Sequence, residues 1–521
     1  MANRYIFTLL LAIVALGAIL RFYDLASNPP GFYTDEASIG FNAYTILTSA
    51  KDEHGAFLPI FFKAFGEYKT PFAIYPVVPL MAIFGANELA VRLYGAVLGV
   101  ANIVLMFFLG KILFNRNVGL LSAFVLAISP WHVHLSRFLI ESHNALIFFV
   151  MGGILFFVLA LRNNWQTRYL ILSSFFWALS LYTYFAVRIF TPLFLLGLLV
   201  LFKKDVVYLF KNQRRKLLIA FFFFCLATLP FFLHVLSGEG LARFQQVAFS
   251  SEGGNVTGAI VDRLGLYLKH FDPRFIFVWG DADFPGQLMI RLSVNGMGLF
   301  YKWQLLFFLF GLCLLFLSRD EGSRRNTKIL LLILLLYPLG TLVSDAKTPY
   351  ATRSVIGVIA YTILIAYGIY GFLRFVKEHL RIFGRLSVLA ITIVLVLVSV
   401  FYLERYLALG GAYKNRAYGY NGFQYGAKQV VDYFIANQNR YDLMLLGSGF
   451  DGPSAYINFF SLGQCAKCKV GFNEPWQGGR QLVAVSVGDL ESFNLAHQSI
   501  VHRIYYPDGR EAFNIYARRA N

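Results

Sequence analysis

Two adjacent carboxylates, Asp35 and Glu36 in GFYTDEASIG (31–40), follow a long apolar run and a Pro-Pro-Gly break. Other ionisable residues stand at the ends of later apolar runs. They are Lys69 in EYKTP, Arg137 and Glu141 in SPWHVHLSRFLIESHN, Arg188 in YTYFAVR, Asp281 and Asp283 in WGDADFP, and Asp345, Lys347 and Arg353 in SDAKTPYATR. Ionisable groups at membrane depth are costly, so they usually face a cavity and mark function. Lys and Arg neutralise a phosphate at such an interface. A carboxylate beside them can take a proton from an incoming hydroxyl. If the phosphate carries a sugar it is also the leaving group, stabilised by the same cations with no general acid required.

The elements that must position these groups are membrane spans. The chain is 58% hydrophobic and only 14% charged, with a mean hydropathy of +0.60, against about 25% charged in soluble proteins. Apolar runs of bilayer-crossing length recur. The reading is a polytopic α-helical membrane protein with spans near 5–23, 88–112, 117–131, 142–161, 169–184, 187–202, 217–236, 302–318, 328–344, 354–373 and 386–403. The Pro-rich run 71–85 is read as interfacial or re-entrant, and 5–23 as a retained helix rather than a cleaved signal. The net charge of +18 reflects topology and not nucleic acid. With the N-terminus inside, the five inner loops hold eighteen Lys and Arg against four acids, as the positive-inside rule requires. That places the first outer loop (24–87), the long outer loop (237–301) and the tail on the extracytoplasmic face of the plasma (inner) membrane. The division is a membrane catalytic module, 1–403, and a small α/β domain, 404–521. In the latter, DLMLLGSG and QLVAVSVG read as strands and GAKQVVDYFIAN as a helix.

Simpler roles stand beside these. Thr34, Asp35 and Glu36 have the composition of a helix first turn, where acids cap free N–H groups. Lys69 and Arg353 could anchor headgroups. Arg137 could anchor its loop or pair with Glu141 four positions on. Asp281-Ala282-Asp283 spells D-x-D, a weak three-residue signal read as a loop or acceptor-side feature. His132 and His134 are read as interfacial hydrogen bonders rather than metal ligands. Asn255-Val256-Thr257 is a glycosylation sequon. Cys465 and Cys468 could form a local disulfide outside, remain free thiols, or join a zinc site for which further ligands are missing. No Walker A, H-E-x-x-H or G-x-S-x-G pattern occurs, which removes support for ATP-driven transport, zinc proteolysis and hydrolase-fold catalysis. A lipid or glycan transporter or flippase is the main alternative. It would carry charges at mid-membrane on broken, repeated helices, whereas these charges crowd the outer rim. A scaffold using the tail would not explain why Asp35, Lys69 and Arg353 share a side.

RFYDL…PPGFYTDEA, EYKTP, FGANELAVRL, SPWHVHLSR, YATR, FDPRFIFVWGD and YGYNGFQYGAKQVVDY together resemble the bacterial relatives of protein O-mannosyltransferases and the aminoarabinose lipid A transferases. These are GT-C fold glycosyltransferases of family 39 type. The resemblance implies about 11 transmembrane helices with outer juxtamembrane helices. It implies a polyprenyl-phosphate sugar donor, an acceptor glycan, lipid or protein, and inversion at the anomeric carbon. It casts Asp35 as the base, Glu36 as its support and Glu141 at a position where relatives often carry Asp. Lys69 would bind the donor phosphate, with Arg353 and Arg188 as further candidates by position. No cofactor is required by this chemistry, though acidic residues could hold a divalent ion.

Overall fold

The computed structural model describes residues 2–247, 256–317, 321–379, 422–471, 478–492 and 498–518, with isolated positions 393 and 397. The expected span 386–403, the beginning of the tail and Asn255 of the sequon lie outside the described residues. Every other expected span overlaps helix, with 117–131 and 328–344 each divided between two helices. The first is α1 (Ala2–Phe22), followed by α2 (Thr34–Ser49) in the first loop. Two short helices, α3 (Pro71–Ile74) and α4 (Val77–Phe84), occupy the Pro-rich run, broken between them at Tyr75-Pro76. Then come α5 (Glu88–Leu113), α6 (Arg116–Ile128), α7 (Pro130–Leu135), α8 (His143–Arg162), α9 (Thr167–Ser180) and α10 (Val187–Leu201). The cytosol-predicted α11 (Lys203–Asn212) precedes α12 (Arg214–Leu236), and α13 (Ala242–Val247) and α14 (Val256–Lys269) lie in the long loop. The module closes with α15 (Gln304–Leu317), α16 (Glu321–Leu336), α17 (Leu339–Leu342) and α18 (Gly357–His379).

Among the described residues six helices are long and apolar enough to cross a bilayer, with four shorter apolar ones beside them. Among the described residues, then, fewer helices than the ten expected there reach full crossing length. The reason is local. The run read as 117–131 is cut at Ser129-Pro130, because proline cannot donate its missing N–H and restarts the chain as α7. Along α12, Phe221, Phe222, Leu226, Leu229, Leu233 and Leu236 stay exposed, as expected of a lipid-facing surface. Where spans touch, small residues allow it: a Cβ at Gly368 would overlap the Phe307 carbonyl, and one at Gly311 the Leu364 carbonyl, so α15 and α18 pack backbone to backbone.

The tail contains helices α19 (Ala427–Asn437) and α20 (Pro453–Ser461). Its five-stranded mixed sheet has the order β4-β3-β5-β7-β6, with β3 (Leu443–Leu446), β4 (Cys468–Val470), β5 (Gln481–Ser486), β6 (Ser499–Tyr505) and β7 (Glu511–Arg518). β3 runs parallel to β4 and β5, while β5, β7 and β6 pair antiparallel. Both predicted strands and the predicted helix are present. Cys465 and Cys468 form a disulfide beside β4. The tail and the membrane module share one apolar cluster: Phe32 stacks on Phe459 with centroids 5.0 Å apart, and Gly40 of α2 faces the same ring. A side chain of this size buried from water contributes about 1.5–3 kcal/mol. The contact holds α2, and with it Asp35, against the sheet domain.

Candidate active site

Asp35 and Glu36 are adjacent but serve different neighbours. Successive residues of a helix point about 100° apart. Glu36 is fully buried and pairs with Arg92 of α5, Nε to Oε1 at 2.9 Å and Nη2 to Oε2 at 3.2 Å. It also accepts the Tyr33 N–H at 3.0 Å and the Leu139 N–H at 3.3 Å. Arg92 meanwhile donates to the carbonyls of Leu25, Ala26, Pro29 and Gly31. The capping role open to this triplet thus falls to Glu36. Its carboxylate ties the loop before α2 to α5 and does not contact the groups around Asp35.

Asp35 faces Lys69. A short hairpin, β1 (Phe62–Ala64) and β2 (Glu67–Lys69), carries that lysine. Glu67 and Lys69 are two apart on a strand and so point to one face. Lys69 is 2% exposed, with Nζ 2.6 Å from Asp35 Oδ1, 3.0 Å from Glu67 Oε1 and 3.6 Å from Glu141 Oε1. Arg243 of α13 reaches Glu67 Oε2 at 2.9 Å. Burial acts to raise the Asp35 carboxyl. The Lys69 ammonium, with Arg243 and Arg291 beyond it, reverses this and holds the group below the ordinary carboxylate range. Burial alone would lower Lys69, but the three carboxylates keep it well above its ordinary value. Glu141 is pushed by burial up to about 7 against the pull of Lys69. Its φ of 50° lies in the left-handed region, which costs a non-glycine residue of order 1–3 kcal/mol and concentrates at functional sites.

The other sequence candidates surround this centre unequally. Arg353 hydrogen-bonds Ser344 Oγ and stacks on Tyr350 at 4.4 Å. It also flanks Phe185 at 5.9 Å, with Arg243 against the same ring at 5.8 Å. Arg188 packs on Phe231 at 5.2 Å and donates to the Gly240 carbonyl. It lies within electrostatic range of Glu141 and Glu67 but makes no ion pair with them. Arg137 does not pair with Glu141. It donates to the carbonyls of Leu20, Tyr23, Asp24 and Asn28 and anchors the end of α1. His132 meets Arg21 at 2.7 Å and His134 meets the Arg291 carbonyl at 2.7 Å, so both are hydrogen bonders. In the D-x-D, Asp281 is fully buried and accepts the Ala351 N–H at 3.0 Å, which pins the loop that carries Arg353. Asp283 accepts the Gly296 N–H at 2.6 Å. Among the described residues no group of three His, Cys, Asp or Glu is poised for a metal.

Sequence reasoning missed Glu67, Arg243 and Arg291. Glu67 was legible from its spacing to Lys69. The two arginines come from the long loop, where no periodicity marks which residues turn inward.

A pH test follows from Glu141. Its carboxyl is raised in the folded state, so between its unfolded value near 4.5 and about 7 the folded protein holds a proton that the unfolded chain has lost. Stability contributed by this group therefore falls as pH rises through that window. Glu141→Gln is expected to gain stability relative to wild type from about pH 4.5 to about pH 7 and to run parallel above it. Thermal unfolding across pH in lipid nanodiscs measures this. Parallel curves through the whole window would show that Glu141 ionises normally.

Residues 68–232 match the family described as dolichyl-phosphate-mannose-protein mannosyltransferase. That segment contains Lys69, Arg92, Glu141 and Arg188. No curated protein sequence matches. Among solved structures, ArnT from Cupriavidus metallidurans bound to undecaprenyl phosphate is 13% identical with a TM-score of 0.55, covering 97% of both chains. The archaeal oligosaccharyltransferase AglB from Archaeoglobus fulgidus, in complex with an inhibitory peptide and a dolichol-phosphate, is 14% identical with a TM-score of 0.52. That match covers 92% of this chain but only 62% of the archaeal one. The Archaeoglobus fulgidus oligosaccharyltransferase in complex with Zn and sulfate is 14% identical with a TM-score of 0.54, covering 97% of this chain and 72% of that one. These likenesses show the fold: a multi-pass membrane architecture of the GT-C type, shared with ArnT and AglB.

Proposed function

We propose that this chain is an inverting glycosyltransferase that moves a sugar from a polyprenyl-phosphate donor to a hydroxyl acceptor on the extracytoplasmic face of the plasma (inner) membrane. One observation carries the reading. A buried ammonium, Lys69, is shared by Asp35, Glu67 and Glu141 at the rim of the spans, with Arg243 beside it. The eighteen-to-four excess of basic over acidic residues in the opposite loops supports the orientation. Residues 1–403 would form the membrane catalytic module and 404–521 the outer domain.

In this mechanism the donor phosphate meets Lys69, with Arg243, Arg353 and Arg188 on the Phe185 side. Binding draws Lys69 from Asp35. Losing that ammonium raises the proton affinity of Asp35, so donor binding itself makes the carboxylate a better base. Glu141, near its midpoint at neutral pH, can take up a proton as the anionic phosphodiester of the donor arrives, or as the leaving phosphate gains its second charge. That relieves repulsion at the one carboxylate not held at short range. The acceptor hydroxyl gives its proton to Asp35 and its oxygen attacks the anomeric carbon. The carbon–oxygen bond to phosphate breaks, its electron pair leaves on the polyprenyl phosphate, and the configuration inverts. Glu36 acts through position, by fixing the start of α2.

The test uses purified protein in lipid with short-chain polyprenyl-phosphate sugars. Release of polyprenyl phosphate and a product of inverted anomeric configuration are expected. Retained configuration, or well-folded protein that neither binds nor turns over any such donor, would overturn the reading.

A further inference from the structure

Arg291 is a buried cation that this scheme does not use. Arg291, in the loop that follows the D-x-D, is 5% exposed, and its Nε and Nη1 have no hydrogen-bond partner among the described residues. Its Nη2 donates to the Tyr33 hydroxyl at 2.5 Å, and the guanidinium lies 3.8 Å from the centre of the Tyr33 ring. Its carbonyl is held by His134 at 2.7 Å, so the backbone is fixed. Arg291 forms no ion pair among the described residues. Asp281, earlier in the same loop, offers no counter-charge: burial pushes it up to about 8, and both its oxygens face Ala351. A guanidinium buried without a carboxylate is unfavourable. Each edge of the planar guanidinium keeps an unpaired N–H beside Nη2, and such an edge can donate to an oxyanion.

Its position distinguishes it from the donor cations. Lys69 and Arg243 hold the acids on one flank of Asp35, and Arg243 and Arg353 sandwich Phe185 there. Arg291 stands on the Tyr33 flank, where Asp451 and Tyr456 of the outer domain share its electrostatic surroundings. It is still close enough to act on Asp35. Tyr350, stacked by Arg353, is within electrostatic range of Arg291 as well. The donor tail must lie among the spans, which leaves the flank beside the tail domain for the acceptor.

We infer that Arg291 forms an anion subsite on the acceptor side of Asp35, for a phosphate or carboxylate that the acceptor carries near its reacting hydroxyl. This rests on the proposed donor reading and narrows it: the acceptor is anionic. Tyr33, stacked on the guanidinium and two residues before Asp35, sets the spacing between the bound anion and the base.

The probe is inorganic phosphate, added to full-length protein in nanodiscs with and without saturating short-chain polyprenyl phosphate, with thermal unfolding as readout. Phosphate is expected to stabilise wild type in both conditions, showing two separate sites. Arg291→Gln should weaken the phosphate effect at least tenfold and leave polyprenyl phosphate binding within twofold. Lys69→Met should do the reverse. Loss of the phosphate effect once polyprenyl phosphate saturates would overturn the inference, because both anions would then use one site. So would an effect kept in Arg291→Gln but lost in Lys69→Met. If Arg291→Gln does not fold, Arg291→Lys carries the test. It keeps the charge without the fork and should lower phosphate affinity several-fold, and an unchanged affinity overturns the subsite. Failure of wild type to bind polyprenyl phosphate is a separate result that overturns the donor reading.

Discussion

An Asp35→Asn protein is expected to fold and insert, to bind donor, and to transfer sugar about 10²–10⁴-fold more slowly than wild type, the range for losing a general base. Folding should survive because Lys69 keeps Glu67 at 3.0 Å and Glu141 at 3.6 Å as counter-charges. Donor affinity should hold or rise, since Lys69 no longer has to leave a carboxylate at 2.6 Å. The measurement is polyprenyl phosphate release under single-turnover conditions, beside donor binding and thermal unfolding. Near-normal turnover in a well-folded Asp35→Asn protein would remove Asp35 from the chemistry. Glu141, raised to about 7, would then be the next carboxylate to test as base.

Replacing Arg92 by Met should cost about 3–5 kcal/mol, the range for removing one partner of a buried ion pair. The guanidinium and Glu36 are both fully buried, and Arg92 also satisfies four carbonyls of the loop 25–31. Without it, Glu36 is left as an uncompensated charge and the loop that leads into α2 loses its clamp. Glu36→Gln should be milder, because the amide oxygen can still accept from Tyr33 or Leu139. A combined Arg92→Met, Glu36→Leu protein should recover part of the loss, since no charge is then stranded. Thermal unfolding in nanodiscs reads all three. A Glu36→Gln protein with normal melting but no turnover would return Glu36 from a positioning to a chemical role.

What the sequence alone determined was the class of molecule, and it carried an expectation for the side on which its chemistry gathers. Apolar run length is set by bilayer thickness, and loop charge by orientation. Both are one-dimensional signals that need no contacts to be read. The Pro-rich run 71–85 was legible as a broken apolar segment from its prolines, and it forms the paired short helices α3 and α4. The strands and helix of the tail followed from local pattern. Asp35, Lys69 and Glu141 were legible as ionisable residues in segments flanking apolar runs.

Only the tertiary structure decided who meets whom. Asp35 and Glu36 are neighbours in the chain, yet one faces Lys69 and the other Arg92, because α2 turns them apart and α5 supplies a buried guanidinium on one side only. Arg137 and Glu141 have helical spacing, but the helix ends at Leu135 and they part. His132 and His134 share a metal-like spacing, yet their rings hydrogen-bond to Arg21 and to the Arg291 carbonyl. Arg243 and Arg291 arrive from a long loop whose sequence has no period. Arg243 is placed by its ion pair to Glu67 of the β1–β2 hairpin, and Arg291 by Tyr33 just before α2. Side-chain partnership is a property of distances across the fold, and sequence spacing reports such distances only within a single regular element.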